Sequence, residues 1–203
     1  MEQGTKEWLQ ARAGRVTASR VADIVAKTKS GPAASRANYM AQLICERLTG
    51  SPVEGFKSAA MQWGTEIEPL ARAAYEDRHG VLVVETGFIP HPTLSMAGAS
   101  PDGLVGEDGL VEIKCPETAT HLDTLLSGSV PGRYQIQMLW QMACTGRAWC
   151  DFVSFDPRLP ANMQLFVARV ERDEKKLVEI SGEVEAFLGE LDQKIQKLTE
   201  KYA

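Results

Sequence analysis

The hydrophobic periodicity of the chain changes at Gly80, and this change constrains the fold more than any other feature. Before Gly80, apolar residues recur every three or four positions, which is typical of amphipathic helices. We expect helices over 5–12, 20–26, 36–49 and 59–79. After Gly80, β-branched residues dominate 81–89, which predicts a strand that ends at Pro90.

The rest of the chain alternates short strands with helices. We predict strands over 94–99, 110–114, 149–155 and 163–170, and helices over 118–127, 133–145 and 171–201. Gly- and Asp-rich turns at 101–103 and 106–109 separate the first two of these strands. The predicted order is a group of helices, then a group of strands, then strands that alternate with helices. This order indicates one α/β domain over 1–203, with a small mixed sheet flanked by helices.

Composition excludes several classes of protein. The 203 residues are 44% hydrophobic and 24% charged, close to the globular average, which excludes wholesale disorder. No apolar stretch approaches the length of a membrane span, and the N-terminus lacks the blocks of a signal peptide. The four cysteines form no CxxC pair, which argues against structural zinc and favours a cytoplasmic protein with free thiols.

Charge is distributed unevenly along the chain. The net charge of −5 argues weakly against general nucleic-acid binding. Residues 1–36, however, carry seven basic and three acidic residues, a local charge of +4. Such a segment either forms a positive surface that binds phosphates or is a solvated N-terminal helix.

Two carboxylates and a lysine form the most informative pattern. Asp102 lies in a predicted turn, whereas Glu112 and Lys114 are two apart on a predicted strand and therefore share a face. A hairpin would bring Asp102 beside Glu112, where the two charges repel unless a cation joins them. Oxygen ligands favour Mg²⁺ or Mn²⁺, and Lys114 would orient a water or stabilise charge on a phosphate. The alternative is a turn aspartate and a solvated Glu-x-Lys face.

Several other polar residues each allow two interpretations. Glu68 is either a third carboxylate of the metal site or an acidic residue that favours a helix start. Arg12 and Ser19 bracket a helix start that suits a phosphate, although Ser19 also suits a plain N-cap. Gln135 and Gln137 precede an apolar helix, where a surface position is the default and contact with backbone or substrate is the alternative.

Taken together, these segments resemble the phage lambda exonuclease family, also called the YqaJ-type viral recombinase or alkaline exonuclease family, of the PD-(D/E)XK nuclease superfamily. The superfamily motif stands here as Pro101-Asp102, nine intervening residues, then Glu112-Ile113-Lys114. The other matching segments are Arg12 with 16–19, Trp63-Gly64 to Glu68, 100–104, 112–116, 135–137 and 156–158. The resemblance thus covers nearly the whole chain.

The resemblance implies a PD-(D/E)XK fold, a mixed central sheet with helices on both sides. It also implies Mg²⁺-dependent digestion of one strand of duplex DNA from its 5′ end, leaving a 3′ overhang for recombination by single-strand annealing. Two ions per site are expected, and Mn²⁺ should substitute. Family members form a homotrimeric ring around DNA and act with a single-strand annealing protein in the bacterial cytoplasm, encoded by a phage or prophage.

The family's metal-site roles carry over to five groups of this chain. By resemblance, Asp102, Glu112 and the backbone carbonyl of Ile113 would bind metal. Glu68 would support a second ion or its water, and Lys114 would position and activate the attacking water.

The family's DNA contacts carry over to six further residues. Those that would hold the 5′ phosphate are Arg12, Ser19, Ser100 and Gln135. Met61 falls where the family has an apolar wedge that splits the terminal base pair, and Lys29 falls where it has a basic residue in the DNA path.

Two other functions stay open at this level. A restriction-type endonuclease on the same core would nick closed circles, which an end-dependent exonuclease leaves intact. A non-catalytic DNA-end-binding protein would keep the fold, but the presence of Asp102, Glu112 and Lys114 argues against it.

Overall fold

Helices occupy the segments that the apolar periodicity predicts. The structure is a computed structural model that describes residues 2–29, 31–53 and 58–203. The helices are α1 (Lys6–Arg12), α2 (Ala18–Val25), α3 (Ala34–Thr49), α4 (Ala59–His79), α5 (Thr118–Ser127), α6 (Gly132–Thr145) and α7 (Glu174–Tyr202). Each predicted helix is confirmed, and its ends shift by a few residues at most.

Over the described ranges, the strands form three sheets. They are β1 (Val16–Thr17), β2 (Lys27–Thr28), β3 (Gly31–Pro32), β4 (Val83–Val84), β5 (Ile89–Pro90), β6 (Ala97–Ala99), β7 (Gly103–Val105), β8 (Gly109–Lys114), β9 (Trp149–Phe155) and β10 (Leu165–Glu171). The main sheet has the order β10-β9-β8-β7-β4, in which only β8 and β9 run parallel. A smaller sheet has the order β1-β6-β5, and β2 pairs with β3.

The change of period at Gly80 has a local structural cause. Gly80 caps α4 in the left-handed conformation, with φ of 63°, and its N–H donates to the carbonyl of Glu76. An L-residue with a side chain rarely adopts this φ, so a glycine there ends the helix at low cost.

The predicted strand over 81–89 is wrong in one respect. It is two short strands in different sheets, because β4 pairs with β7 whereas β5 pairs with β6. The partner β7 includes Gly103, which the sequence assigned to a turn. A Cβ on Gly103 would lie 2.1 Å from the Cγ1 of Val83, so only glycine permits this pairing.

Helices cover both faces of β8. Leu110 packs in a large apolar cluster with residues of α6, such as Met138, while Val111 and Ile113 pack in a second cluster against α4. Burying a side chain such as Met138 contributes roughly 1.5–3 kcal/mol. The strand is therefore fixed from both sides, which holds Glu112 fully inside the protein, whereas Lys114 is only partly buried.

The long helix α7 neutralises part of the basic N-terminal segment. Its apolar stripe is buried from Leu177 to Leu191, whereas Leu198 near its end is exposed. Two of its acidic side chains pair with cations of the N-terminal segment. Lys27 pairs with Glu183 at 2.7 Å, and Arg36 pairs with Glu190 at 2.8 Å. The local charge of +4 therefore overstates the positive surface near the N-terminus. None of the described helices is long and apolar enough to span a membrane.

Candidate active site

The structure brings Asp102, Glu112 and Lys114 together, and we call these three residues the carboxylate cluster. Asp102 lies just before β7, and its Oδ2 accepts a hydrogen bond of 2.7 Å from the backbone N–H of Ile113. Lys114 Nζ lies 4.0 Å from that oxygen and forms an ion pair with Glu112 Oε1. The hairpin of β7 and β8 thus produces the convergence that the sequence spacing predicted.

Two glutamines of α6 hold the carboxylate of Glu112. Gln137 Nε2 donates to Oε1 at 2.6 Å, and Gln141 Nε2 donates to Oε2 at 2.5 Å. Glu112 and Gln141 are fully buried, so the solvated Glu-x-Lys alternative is wrong. The default surface position for Gln137 is also wrong, and sequence reasoning missed Gln141. Glutamines four apart inside an apolar helix are a usable signal, because a buried amide requires a partner.

When all three side chains are ionised, the carboxylate cluster has two negative charges and one positive charge. Burial and the neighbouring charge of Glu112 raise the pKa of Asp102 well above its ordinary range, against the opposing effect of Lys114. Burial alone would lower the pKa of Lys114, but Glu112 and Asp102 outweigh it and raise that pKa. Lys114 is therefore a cation at neutral pH. A second cation between the carboxylates would relieve the repulsion that remains.

The donor set fits a hard divalent ion that keeps part of its water shell. Among the described residues, no group of three or more His, Cys, Asp and Glu side chains is arranged to hold a metal. Two carboxylates and a backbone carbonyl match Mg²⁺, which usually binds proteins through one or two carboxylates and retains several waters.

Glu68 acts on this site through its charge rather than through contact. Its carboxylate pairs with Arg72 at 3.3 Å, and Arg72 also pairs with Glu85. The negative charge of Glu68 still contributes to the raised pKa of Asp102. Because Glu68 lies well inside α4 and the first turn has no acidic residue, the helix-start interpretation is wrong.

A second group, which we call the arginine cluster, consists of Trp8, Arg12 and Ser100. Arg12 Nη1 donates to Ser100 Oγ at 3.1 Å, and Trp8 Nε1 donates to the same oxygen at 3.0 Å. The guanidinium of Arg12 also lies over the Trp8 ring, 4.1 Å from its centroid. The resemblance implied Arg12 and Ser100 as phosphate ligands, whereas sequence reasoning missed Trp8.

The other two predicted phosphate ligands are Ser19 and Gln135. Ser19 is exposed in the first turn of α2, and Thr17 occupies the N-cap, so the N-cap interpretation of Ser19 is wrong. Gln135 donates to the backbone carbonyl of Val130 at 2.8 Å. Within the described ranges, no hydrogen bond joins Ser19 or Gln135 to the arginine cluster.

The two predicted DNA contacts are both at the surface. Met61 lies in the first turn of α4 with 59% of its surface exposed, which is unusual for a large apolar side chain. Lys29 is exposed and directly follows β2.

A buried aspartate, Asp156, stabilises the turn after β9. Asp156 accepts hydrogen bonds of 2.7 Å from Thr118 Oγ1 and from Arg158 Nε. Burial opposes the ionised form, but these hydrogen bonds outweigh it and lower the pKa of Asp156 to about 2. Arg158 also lies over the ring of Trp63, 4.5 Å from its centroid. The turn after β9 is thereby tied to α5 and α4.

Known proteins resemble this chain along its whole length. Residues 7–148 match the family model of the YqaJ-like viral recombinase domain. The crystal structure of an alkaline exonuclease from Laribacter hongkongensis, LHK-Exo, is 57% identical over 97% of both chains, with a TM-score of 0.91. The same protein in complex with dAMP gives a TM-score of 0.92 at the same identity and coverage.

A more distant structure shares the fold. A phage-related exonuclease from Haemophilus somnus 129PT is 16% identical, covering 91% of this chain and 96% of that chain, with a TM-score of 0.71. No curated protein sequence matches this chain.

Proposed function

Because this chain belongs to the YqaJ-like viral recombinase family, we propose that it is a metal-dependent 5′-to-3′ exonuclease on linear duplex DNA. The predicted family and the PD-(D/E)XK-type fold are confirmed. Identity of 57% to an alkaline exonuclease supports exonuclease function in general. The strand polarity, the 3′ overhang and the metal are the parts that we propose.

The main support for a metal-dependent reaction is that the carboxylate cluster places two carboxylates beside a single lysine. Asp102, Glu112 and the Ile113 carbonyl would hold Mg²⁺, with Mn²⁺ as a substitute and Glu68 supporting a second ion. A bound ion supplies Lewis-acid activation of the phosphodiester and a more acidic water. Gln137 and Gln141 would keep the Glu112 carboxylate in one orientation.

Lys114 would act on the attacking water and on the phosphate. As a cation beside both carboxylates, it can hold a water by hydrogen bonding and stabilise charge that develops on the phosphoryl oxygens. The water oxygen adds to phosphorus and gives up a proton to solvent, the bond from phosphorus to the O3′ of the released nucleotide breaks, and that O3′ takes up a proton from solvent to become a hydroxyl. The shortened strand then carries a new 5′ phosphate.

The arginine cluster would bind that 5′ phosphate, with Ser19 and Gln135 as further ligands. A terminal phosphate carries nearly two negative charges and more acceptor oxygens than an internal diester. Ser100 and Asp102 are two residues apart, a span of at most about 7 Å. A phosphate held at Ser100 would therefore lie next to the metal site, which favours cleavage at an end.

The proposal extends to the assembly. We propose a homotrimeric ring around DNA, in which Met61 separates the terminal base pair and Lys29 lies along the DNA path. An annealing protein would bind the exposed 3′ strand, and the system would belong to a phage or prophage in the bacterial cytoplasm.

Digestion of labelled duplexes with Mg²⁺ tests this function. We expect early release of a 5′ label, late release of a 3′ label, faster digestion of 5′-phosphoryl than 5′-hydroxyl ends, and no activity with EDTA. Covalently closed circles serve as the matched substrate without ends. Nicking of the circles would favour the endonuclease, and early release of the 3′ label would reverse the polarity.

A further inference from the structure

Trp8 contacts both other members of the arginine cluster. Its indole N–H donates to Ser100, and its ring lies against the guanidinium of Arg12. No other residue of the described chain makes both contacts. These are long-range contacts, because Trp8 and Ser100 are 92 positions apart in sequence.

The two hydrogen bonds to Ser100 fix the direction of its hydroxyl hydrogen. A serine hydroxyl has two acceptor lone pairs and one hydrogen to donate. Trp8 and Arg12 are donors only, so together they occupy both lone pairs. The hydrogen of Ser100 must then point away from them, and within the described residues it donates to no acceptor. Ser100 is thereby prepared to donate to an external anion.

The ring of Trp8 restrains Arg12 in a similar way. A guanidinium has five N–H donors in one plane, and one of those on Arg12 is used by Ser100. The indole ring lies 4.1 Å from the Cζ of Arg12 and restrains the guanidinium from one side. The remaining donors are then presented in a fixed fork, the geometry that suits bidentate contact with a phosphate.

A neighbouring contact attaches the same N-terminal segment to the residues before Asp102. Gln3 Nε2 donates to the carbonyl of Pro101 at 2.8 Å and to that of Thr86 at 3.0 Å. The segment that includes Trp8 is thus attached at both Ser100 and Pro101.

We propose that Trp8 is the positioning residue of the 5′-phosphate pocket, and this rests on the proposed function. Its N–H makes Ser100 a donor toward the phosphate, and its ring sets the plane of Arg12. Trp8 is not a catalytic residue, because it acts through Ser100 and Arg12.

The substitution Trp8→Phe separates the hydrogen bond from the stacking. Phenylalanine keeps an aromatic ring under Arg12 but has no N–H for Ser100. We expect the ratio of initial rates on 5′-phosphoryl and 5′-hydroxyl duplexes to fall about three- to tenfold, the effect of one lost hydrogen bond. The rate on 5′-hydroxyl ends should fall less than the rate on 5′-phosphoryl ends, because a 5′-hydroxyl end offers no phosphate to the pocket.

A matched control and a double-mutant cycle exclude a general structural effect. Trp149 also lies against an arginine, Arg169, outside the arginine cluster, so Trp149→Phe should leave the ratio unchanged. In a Ser100→Ala background, Trp8→Phe should cause no further fall in the ratio, because the acceptor is already absent. If Trp8→Phe fails to fold, Ser100→Ala is measured alone. It must then lower the ratio of rates on 5′-phosphoryl and 5′-hydroxyl duplexes by at least the factor predicted for Trp8→Phe.

The outcomes distinguish this inference from the pocket itself. If Trp8→Phe keeps the wild-type ratio while Arg12→Ala lowers it, the positioning role is overturned and the pocket stands. Additive losses in the Ser100→Ala background would also overturn it. If the wild type shows no preference for a 5′ phosphate, the pocket and the inference both fail.

Discussion

The carboxylate cluster and the arginine cluster are built in opposite ways. Two members of the carboxylate cluster, Glu112 and Lys114, lie on a central strand covered on both faces, and amides from α6 fix the glutamate. The arginine cluster joins a seven-residue helix to a loop through two hydrogen bonds and one stacking contact. A single substitution in the carboxylate cluster should therefore abolish almost all DNA cleavage. Each substitution in the arginine cluster should instead weaken phosphate binding by a part of its total.

The largest expected effect is that of Asp102→Asn. The amide oxygen can still accept the hydrogen bond from Ile113, so the loop should stay in place while the charge that holds the metal is lost. We expect cleavage to fall by about 10³-fold or more, with DNA binding retained. Single-turnover assays and filter binding measure the two effects.

Asp108→Asn is the matched control for this change, because Asp108 is an exposed turn aspartate. Its activity should equal that of the wild type. Appreciable turnover by Asp102→Asn would remove Asp102 from the metal site.

The next largest effect is that of Lys114→Met, which keeps the length of the side chain but removes its charge. We expect the cleavage rate to fall by about 10²- to 10³-fold, because the developing charge on the phosphate loses its stabiliser. Metal affinity, measured by isothermal titration, should change far less. Loss of metal binding together with a collapse of the fold would make Lys114 structural.

An intermediate effect is expected for Arg12→Ala. Loss of one charged hydrogen-bond partner typically costs about 1.5–3 kcal/mol, or roughly ten- to a hundredfold in affinity. Digestion of 5′-phosphoryl ends should slow by this factor, and digestion of 5′-hydroxyl ends much less. Equal losses on matched substrates would place the phosphate elsewhere and remove the contrast between the two clusters.

A smaller effect on stability should follow from Gln141→Leu. The change leaves one oxygen of the buried Glu112 carboxylate without its donor, which costs about 1–3 kcal/mol of unfolding free energy. Gln62→Leu is the control, because Gln62 makes a similar bond to Glu66 in solvent, and it should cost less than about 0.5 kcal/mol. If urea unfolding showed the same loss of unfolding free energy for Gln141→Leu and Gln62→Leu, the buried Glu112 carboxylate would not need the Gln141 amide.

The smallest effect concerns Asp156, a buried carboxylate that the protein itself satisfies, unlike Asp102. Its pKa of about 2 lies below the value in an unfolded chain, so its ionised form stabilises the fold above about pH 4. This stability is lost as the pH falls from about 4 to about 2. Asp156→Asn should cost roughly 1–2 kcal/mol at pH 7 and should flatten the pH dependence over that range. If the free energy of unfolding of the variant and of the wild type depended on pH in the same way between about pH 2 and 4, Asp156 would not be the source of this pH dependence.

Local patterns were enough to predict the helices and the carboxylate cluster. A helix is built from contacts three or four residues apart, so its apolar period is visible in the sequence. Asp102 and Glu112 are joined by a short hairpin, and Glu112 and Lys114 share a face because strand side chains alternate. Each of these relations spans a dozen residues or fewer, and the chain geometry alone determines it.

Only the tertiary structure decided the partners that come from distant parts of the chain. Gln141 lies 29 positions from Glu112, and Trp8 lies 92 positions from Ser100. The pairing of β4 with β7 likewise depends on the close approach of Val83 to Gly103. Nothing in the local period of a sequence indicates which distant donor will meet a given acceptor. That choice is made when helices pack on the sheet, because packing determines which buried polar groups must satisfy one another.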